Sequence, residues 1–272
     1  MNTNHSHRPL ILITNDDGIG SPGLRAVVEA VASLGELLVV APKTQQTATG
    51  RSFRPSEWVI ETYDIVTGNG GSSVKAYTVD ATPAQAVRAG VLLLADRRPD
   101  LLISGINYGE NIGLGVTISG TVGAAIEGAS FNIPGLAVSL ETGLDYHFSH
   151  SEEIDFTVAG HFTHHFAQKM LTTPLPPHTD ILKLDIPSNA TPQTPWRITR
   201  VARQNCFRAI VKEEAGVRRF AGYARGINFD KLEADSDAYA LIVDRIVSLT
   251  PLTIDLTAHR DLSRLEIFDM SS

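Results

Sequence analysis

Two adjacent aspartates close the first apolar run of the chain, in Leu10-Ile11-Leu12-Ile13-Thr14-Asn15-Asp16-Asp17-Gly18. Carboxylates held side by side repel, and burying them is costly unless positive charge lies between them. A divalent cation is the simplest such partner. The same Asn-Asp-Asp-Gly tetrapeptide is also good turn chemistry, because Asn, Asp and Gly all favour tight turns. Residues 43–55 are rich in Thr, Gln and Gly and offer hydroxyls, that of Thr47 among them. In Ser104-Gly105-Ile106-Asn107, Asn107 supplies either a neutral amide oxygen or a turn residue beside glycine. Two carboxylates, a hydroxyl and an amide form an all-oxygen set, which suits Mg²⁺, Mn²⁺ or Ca²⁺ rather than zinc. Ser119-Gly120-Thr121-Val122-Gly123 is the second chemical feature. Small residues admit close approach of a ligand to the backbone, and free amides at a helix start attract anions. An ordinary Ser or Thr helix cap, with glycines for close packing, accounts for the same residues.

Positioning these groups requires a sheet. Residues 10–14, 37–41, 100–105, 135–140 and 180–186 are apolar runs of the kind found in strands buried on both faces. Helical spacing or capping follows Ser21-Pro22-Gly23, Thr82-Pro83 and Ser119-Gly120-Thr121, and residues 152–171 read as a further helix. Residues 57–66 and 74–79 read as strands around the turn Gly68-Asn69-Gly70-Gly71. The order predicts an α/β fold: a mostly parallel sheet with helices on both faces. Loops 15–20, 43–55 and 105–118 each follow a strand, so all three open on one sheet edge, where such folds bind ligands. Residues 1–9 read as a disordered lead-in, 10–190 as the core and 191–272 as an extension. That extension is expected to include a hairpin arm, a short helix over 235–245 and a last strand over 246–256. The irregular segment 191–226 resists placement.

Composition narrows the function. The chain has 272 residues, 43% of them hydrophobic and 19% charged, as in ordinary globular proteins. A net charge of −7 argues against binding polymeric nucleic acid, while leaving room for a small anion beside a cation or a helix start. One cysteine, Cys206, excludes an intrachain disulfide and a cysteine zinc cluster, and reads as an inert buried thiol. No apolar run has transmembrane length and no secretory signal is visible, so a cytoplasmic enzyme is expected. Adjacent aspartates have the wrong spacing for a haloacid-dehalogenase phosphatase, and no Gly-x-Ser-x-Gly elbow or Walker lysine occurs. His147, His150, His161, His164 and His165 cluster in sequence; the last three read as a solvated helix face.

Taken together, Asn15-Asp16-Asp17-Gly18, Ser21-Pro22-Gly23, Val39-Val40-Ala41-Pro42, Pro99-Asp100-Leu101-Leu102-Ile103-Ser104-Gly105-Ile106-Asn107 and Ser119-Gly120-Thr121-Val122-Gly123-Ala124-Ala125 resemble the survival protein E (SurE) family. Thr250-Pro251-Leu252 and Asp255-Leu256-Thr257 resemble its closing stretch. The resemblance implies a Rossmann-like core, an extended carboxyl-terminal arm exchanged between subunits, and a homodimer or homotetramer. It implies a metal-dependent 5′/3′-nucleotidase with one Mg²⁺ or Mn²⁺ per subunit on Asp16, Asp17, Thr47 and Asn107. Thr47 stands where the family usually has serine, and Lys43-Thr44 where it usually has Asp-Arg. Asn15, Asn111, Ser119, Gly120 and Thr121 are then expected to hold phosphate oxygens. Metal-activated water is the expected attacker, and Asp16 and Asp17 are the expected catalytic residues, with general base and nucleophile both open as a further role for either. A non-catalytic nucleotide or metal sensor is the alternative, and a phosphatase for polyphosphate or a sugar phosphate a third reading.

Overall fold

The computed structural model describes residues 8–68 and 73–259. Most of the expected lead-in, the tip of the Gly68-Asn69-Gly70-Gly71 turn and the end of the extension lie outside the described residues. A nine-stranded sheet runs in the order β3-β4-β2-β1-β5-β6-β7-β11-β8. Its strands are β1 (Leu10–Thr14), β2 (Glu36–Pro42), β3 (Ile60–Val66), β4 (Ser73–Val79), β5 (Leu101–Tyr108), β6 (Gly135–Leu140), β7 (Ile181–Ile186), β8 (Trp196–Ile198) and β11 (Val247–Leu252). The six strands from β4 to β7 are mutually parallel. Only β3 and β11 run antiparallel to their inner neighbours. The α/β reading of the sequence therefore holds.

Strand β1 shows why a continuous apolar run was needed. Its alternating side chains serve two separate cores. Ile11 and Ile13 meet helices α1 (Pro22–Val31) and α4 (Thr157–Thr172) on one face. Leu10 and Leu12 meet α2 (Pro83–Ala89) and α3 (Gly120–Ala129) on the other. Helix α1 buries Leu24, Val27, Val28 and Val31, the spacing of one helical stripe. Helix α2 starts in a reciprocal cap between Thr82 and Gln85. Each fully buried aliphatic side chain contributes roughly 1.5–3 kcal/mol, so β1 is held on both faces and its carboxyl end has a fixed position.

Several expected boundaries shift, each for a local reason. The third buried strand does not stop at Gly105 but continues to Tyr108. Its pairing with β6 is irregular between Ser104 and Asn107, a bulge that lets the strand resume and places Asn107 opposite Ser139. Helix α4 begins at Thr157 rather than 152, and the turn just ahead of it is closed by the Asp155 carboxylate, which accepts the Thr157 amide at 2.8 Å. The late helix is shorter than 235–245: α5 (Asp237–Ile242) starts where the Ser236 hydroxyl accepts the Tyr239 amide. The segment that resisted placement contains β8 and then a separate antiparallel hairpin, β9 (Phe207–Glu214) with β10 (Val217–Arg225). Its turn passes through Ala215 and Gly216, both at positive φ.

Candidate metal and phosphate site

Strands β1 and β5 are neighbours, while β2 lies on the other side of β1. The chain changes direction across the sheet at this point, and the crevice beyond the strand ends opens there. The turn after β1 is braced internally: the Asn15 side chain donates to the Gly18 carbonyl at 3.0 Å and accepts the Gly18 amide at 3.1 Å. Asn15 is thus a turn-former whose polar atoms are engaged by the turn itself. It holds the next two side chains, Asp16 and Asp17, at 4% and 1% exposure.

Hydrogen bonds to these carboxylates come from neutral donors. Asp16 accepts the Thr121 hydroxyl at 2.6 Å and also draws on the Thr121 amide at the start of α3. Asp17 accepts the Gln45 side chain at 3.1 Å and the Tyr108 amide at 3.4 Å. Burial raises the Asp16 carboxyl to about 6, against the pull of Thr121. Asp17 is raised well above its ordinary value, first by burial and then by the charge of Asp16. The two side chains feel each other, and the neutral donors do not remove the repulsion. This electrostatic deficit is what a divalent cation would fill. Among the described residues no three His, Cys, Asp or Glu side chains gather as a metal cluster. Two carboxylates completed by neutral oxygens remain, and hard cations take such sets.

The neutral oxygens are close by. Asn107 donates its side-chain nitrogen to the Gly109 carbonyl at 2.7 Å, which orients the amide and leaves Oδ1 as the available acceptor. The next residue, Tyr108, is the one whose amide reaches Asp17, so the Asn107 end of β5 and the aspartate turn lie together. The 43–55 loop is tied to the same turn, since Gln46 donates its amide to the Asp16 carbonyl at 2.7 Å. Thr47, half-buried, is the following residue. The lysine of the altered Lys43-Thr44 pair reaches away to Glu61 on β3 at 3.1 Å and does not enter this group.

Helix α3 closes the other side. Ser119 caps it through the Val122 amide at 3.1 Å, while the amides of Gly120 and Thr121 head the helix. A Cβ at Gly120 would lie 2.7 Å from both Cβ and Oδ2 of Asp16, so only glycine lets the aspartate rest on the helix start. Gly123 performs the same service for Gly50, whose carbonyl occupies the space a side chain would need. Asn111 stands further along, its side chain donating to Ser139 at 2.8 Å and its amide to Asp185 at 2.8 Å. Asp16, Asp17, Asn107, Ser119, Gly120 and Thr121 thus come from two strand ends, those of β1 and β5, and one helix start. Thr47 and Asn111 flank them.

Several contributors were invisible in the sequence. Gln45 donates both to Asp17 and to the His147 carbonyl, at 2.8 Å. His150 bonds the Asp17 carbonyl at 2.6 Å. His147 is buried against Gly109, with Nδ1 at 2.9 Å from the Tyr223 hydroxyl. Burial, then Arg225, lowers it to about 4, so it is neutral at pH 7. Burial raises Glu110 to about 7, although Arg225 pairs with it at 2.7 Å. Tyr223 and Arg225 come from the far strand of the hairpin, and no local pattern announces them. The histidines at 147 and 150 were visible as types only. By contrast His161, His164 and His165 stand on α4 beside the α1 groove. Cys206 is buried, and its thiol is pushed to about 12 by burial.

The fold and site define a doubly wound α/β protein with an acidic, oxygen-lined crevice at its switch point. The family model for the survival protein SurE matches residues 11–208. The 5′-nucleotidase SurE of Thermococcus kodakarensis is 41% identical over 249 residues, 91% of this chain and 93% of that one. The protein of the same name from Methanocella arvoryzae is 40% identical over 264 residues, 94% of this chain and 96% of that one. The crystal structure of the SurE protein from Aquifex aeolicus matches with a TM-score of 0.77 at 29% identity, covering 96% of this chain and 99% of that chain. The chain belongs to the SurE family.

Proposed function

We propose that this protein is a phosphomonoesterase that converts nucleoside 5′-monophosphates to nucleoside and phosphate, with Mg²⁺ or Mn²⁺ as its metal. The observation that carries this reading is the seating of a buried, mutually repelling Asp16–Asp17 pair on the amide-lined start of α3. The pair calls for a cation, and the helix start favours an anion. A phosphomonoester bound through a metal satisfies both. The names of the relatives, 5′-nucleotidase SurE, support the same substrate class.

Asp16, Asp17, Thr47 and Asn107 would hold the metal, which when bound polarises a phosphate oxygen and acidifies a water. Gln45 and Tyr108 keep Asp17 in place, and the Thr121 hydroxyl does the same for Asp16. Ser119, the Gly120 amide and Asn111 would then face the phosphate oxygens and stabilise charge on the group in transfer, while the hydroxyl and amide of Thr121 stay with Asp16. Asp16 and Asp17 act on the reacting centre by holding the metal, which leaves them poorly suited to attack phosphorus themselves. Activity on 3′-monophosphates, a cytoplasmic setting and assembly through the β9–β10 hairpin as an exchanged arm belong to the same reading. Among the described residues no helix is long and apolar enough to cross a membrane.

Phosphate release from a panel of 5′- and 3′-mononucleotides, polyphosphate and sugar phosphates, with Mg²⁺ or Mn²⁺, tests the reading. Release from mononucleotides is expected, lost on chelation. Metal and nucleotide binding without release would replace the enzyme with a sensor, and release from polyphosphate alone would change the substrate. Asp16→Asn and Asp17→Asn should each lose both metal and turnover; full activity in either removes that residue from the site.

A further inference from the structure

Strand β7 and helix α5 bury a charged triad behind the phosphate side of the crevice. Lys183, Asp185 and Asp237 are all fully buried. The Lys183 ammonium pairs with Asp185 and, at 3.1 Å, with Asp237. Buried charge of this kind is a poor source of stability, because apolar residues of similar volume often do as well or better. What the triad does supply is acceptors for the backbone of the loop that follows β5. Asp185 accepts the Asn111 amide at 2.8 Å. Asp237 accepts the Gly113 amide at 3.3 and 3.2 Å through its two oxygens, and the amides of Ala202 at 2.9 Å and Ala238 at 2.7 Å.

The neighbouring residues of that loop, up to Leu114, are fastened as well. Ile112, between the two pinned amides, is buried among Ala202, Cys206, Leu232, Ala238 and Leu241. The Leu114 amide donates to the Gln204 carbonyl at 3.0 Å. The Asn111 side chain stays half-buried and reaches Ser139. Ser139 in turn pairs across the sheet with Asn107 on one side and Asp185 on the other. One row across β5, β6 and β7 therefore joins the metal-side amide to the triad. From this geometry we infer that Lys183, Asp185 and Asp237 are positioning residues that fix the loop so that Asn111 faces the substrate phosphate. The inference rests on the function proposed above.

Two double variants isolate it: Lys183→Met with Asp185→Asn, and Lys183→Met with Asp185→Leu. Both remove the same charges and leave Asp237 with its three backbone donors. They differ in whether position 185 can accept the Asn111 amide. Loss of one such hydrogen bond scales to about a tenfold effect. The Leu variant should therefore show KM for 5′-AMP, and the dissociation constant for inorganic phosphate, about tenfold above the Asn variant. Its kcat and Mn²⁺ affinity should stay within about twofold, the pattern of lost uniform binding. Equal KM and equal phosphate affinity in the two variants overturn the inference, even if both melt early. Should either fail to fold, hydrogen exchange in the unaltered protein decides. Protection of the Asn111 and Gly113 amides before phosphate is added is expected, and exchange at open-loop rates overturns the inference. An unaltered protein that neither hydrolyses 5′-AMP nor binds phosphate sinks the functional reading itself. One that does both while the variants match sinks only the positioning role.

Discussion

Replacing Asp16 by Asn should make the metal-free protein more stable while destroying its response to metal. Asp16 is almost wholly buried, and its carboxyl is raised from 3.8 to about 6 by that burial. A group whose folded value lies above its unfolded one favours the folded state fully below the unfolded value. That contribution is gone once the pH has risen through the folded value. Ionised Asp16 at pH 7.5 therefore costs about 3 kcal/mol, taking about 1.4 kcal/mol for each unit of displacement. Asparagine keeps the shape and can still accept the Thr121 hydroxyl. Its unpaired amide nitrogen against Gly120 costs about 1 kcal/mol. The net gain of about 2 kcal/mol corresponds to a Tm roughly 4 °C higher for a chain of this length. With metal at about a hundred times its dissociation constant, the parent should gain about 2.7 kcal/mol, or roughly 5 °C. The variant should gain nothing. Thermal melts in chelator and in Mn²⁺, at pH 7.5 and at pH 5, read all of these quantities. At pH 5 the variant's advantage in chelator should shrink, because the parent's Asp16 is then largely protonated. A variant that melts below the parent in chelator, with the metal response intact, would refute the electrostatic account of this site.

Two further predictions test the supports of the crevice. Gly120→Ala places a methyl 2.7 Å from Asp16, so kcat should fall by at least about tenfold through displacement of the pair, as expected when a reacting geometry shifts; unchanged kinetics would show that the contact can relax. Arg225→Met removes the partner of Glu110, whose carboxyl burial has already raised to about 7, and one of the two partners of Glu141, which keeps Arg245. The cost should be small at pH 5, where Glu110 is protonated, and grow by up to about 1.4 kcal/mol per pH unit above 7, because without Arg225 the folded protein must keep Glu110 protonated or hold it as an unpaired carboxylate, which denaturant melts across that range will measure.

The legible parts of this molecule were those set by one strand or one helix start at a time. Continuous apolar runs marked β1, β2, β5, β6 and β7, since strands covered on both faces cannot alternate. Ser119 and Thr82 marked helix starts because a capping oxygen must come from a short polar side chain. The aspartate pair stood out because nothing in packing explains two adjacent carboxylates after such a strand. Bulges and pairings that depend on a distant chain were hidden. Asn107 sits on a resumed strand instead of a loop because β6 continues beside it, and no local residue specifies β6 as the partner. Tyr223 and Arg225, the hairpin residues that reach His147 and Glu110, lie on a strand that is exposed or half-buried throughout, so no hydrophobic period separated them from their neighbours.

The kind of residue chosen around the aspartates bears on how the site works. A lysine in place of Gln45 would pair with Asp17 permanently and remove the repulsion, and the folded protein would need no metal to be comfortable. Gln45, Thr121 and the Tyr108 amide instead hold the carboxylates by neutral hydrogen bonds, which fix direction while leaving the charge unmatched. Positive charge is kept elsewhere: Lys43 goes to Glu61, Arg225 to Glu110 and Glu141, and Lys183 to the triad. A crevice built this way carries an electrostatic demand that a cation would satisfy, and a cation bound there would in turn favour entry of an anionic phosphate into a chain whose net charge is −7.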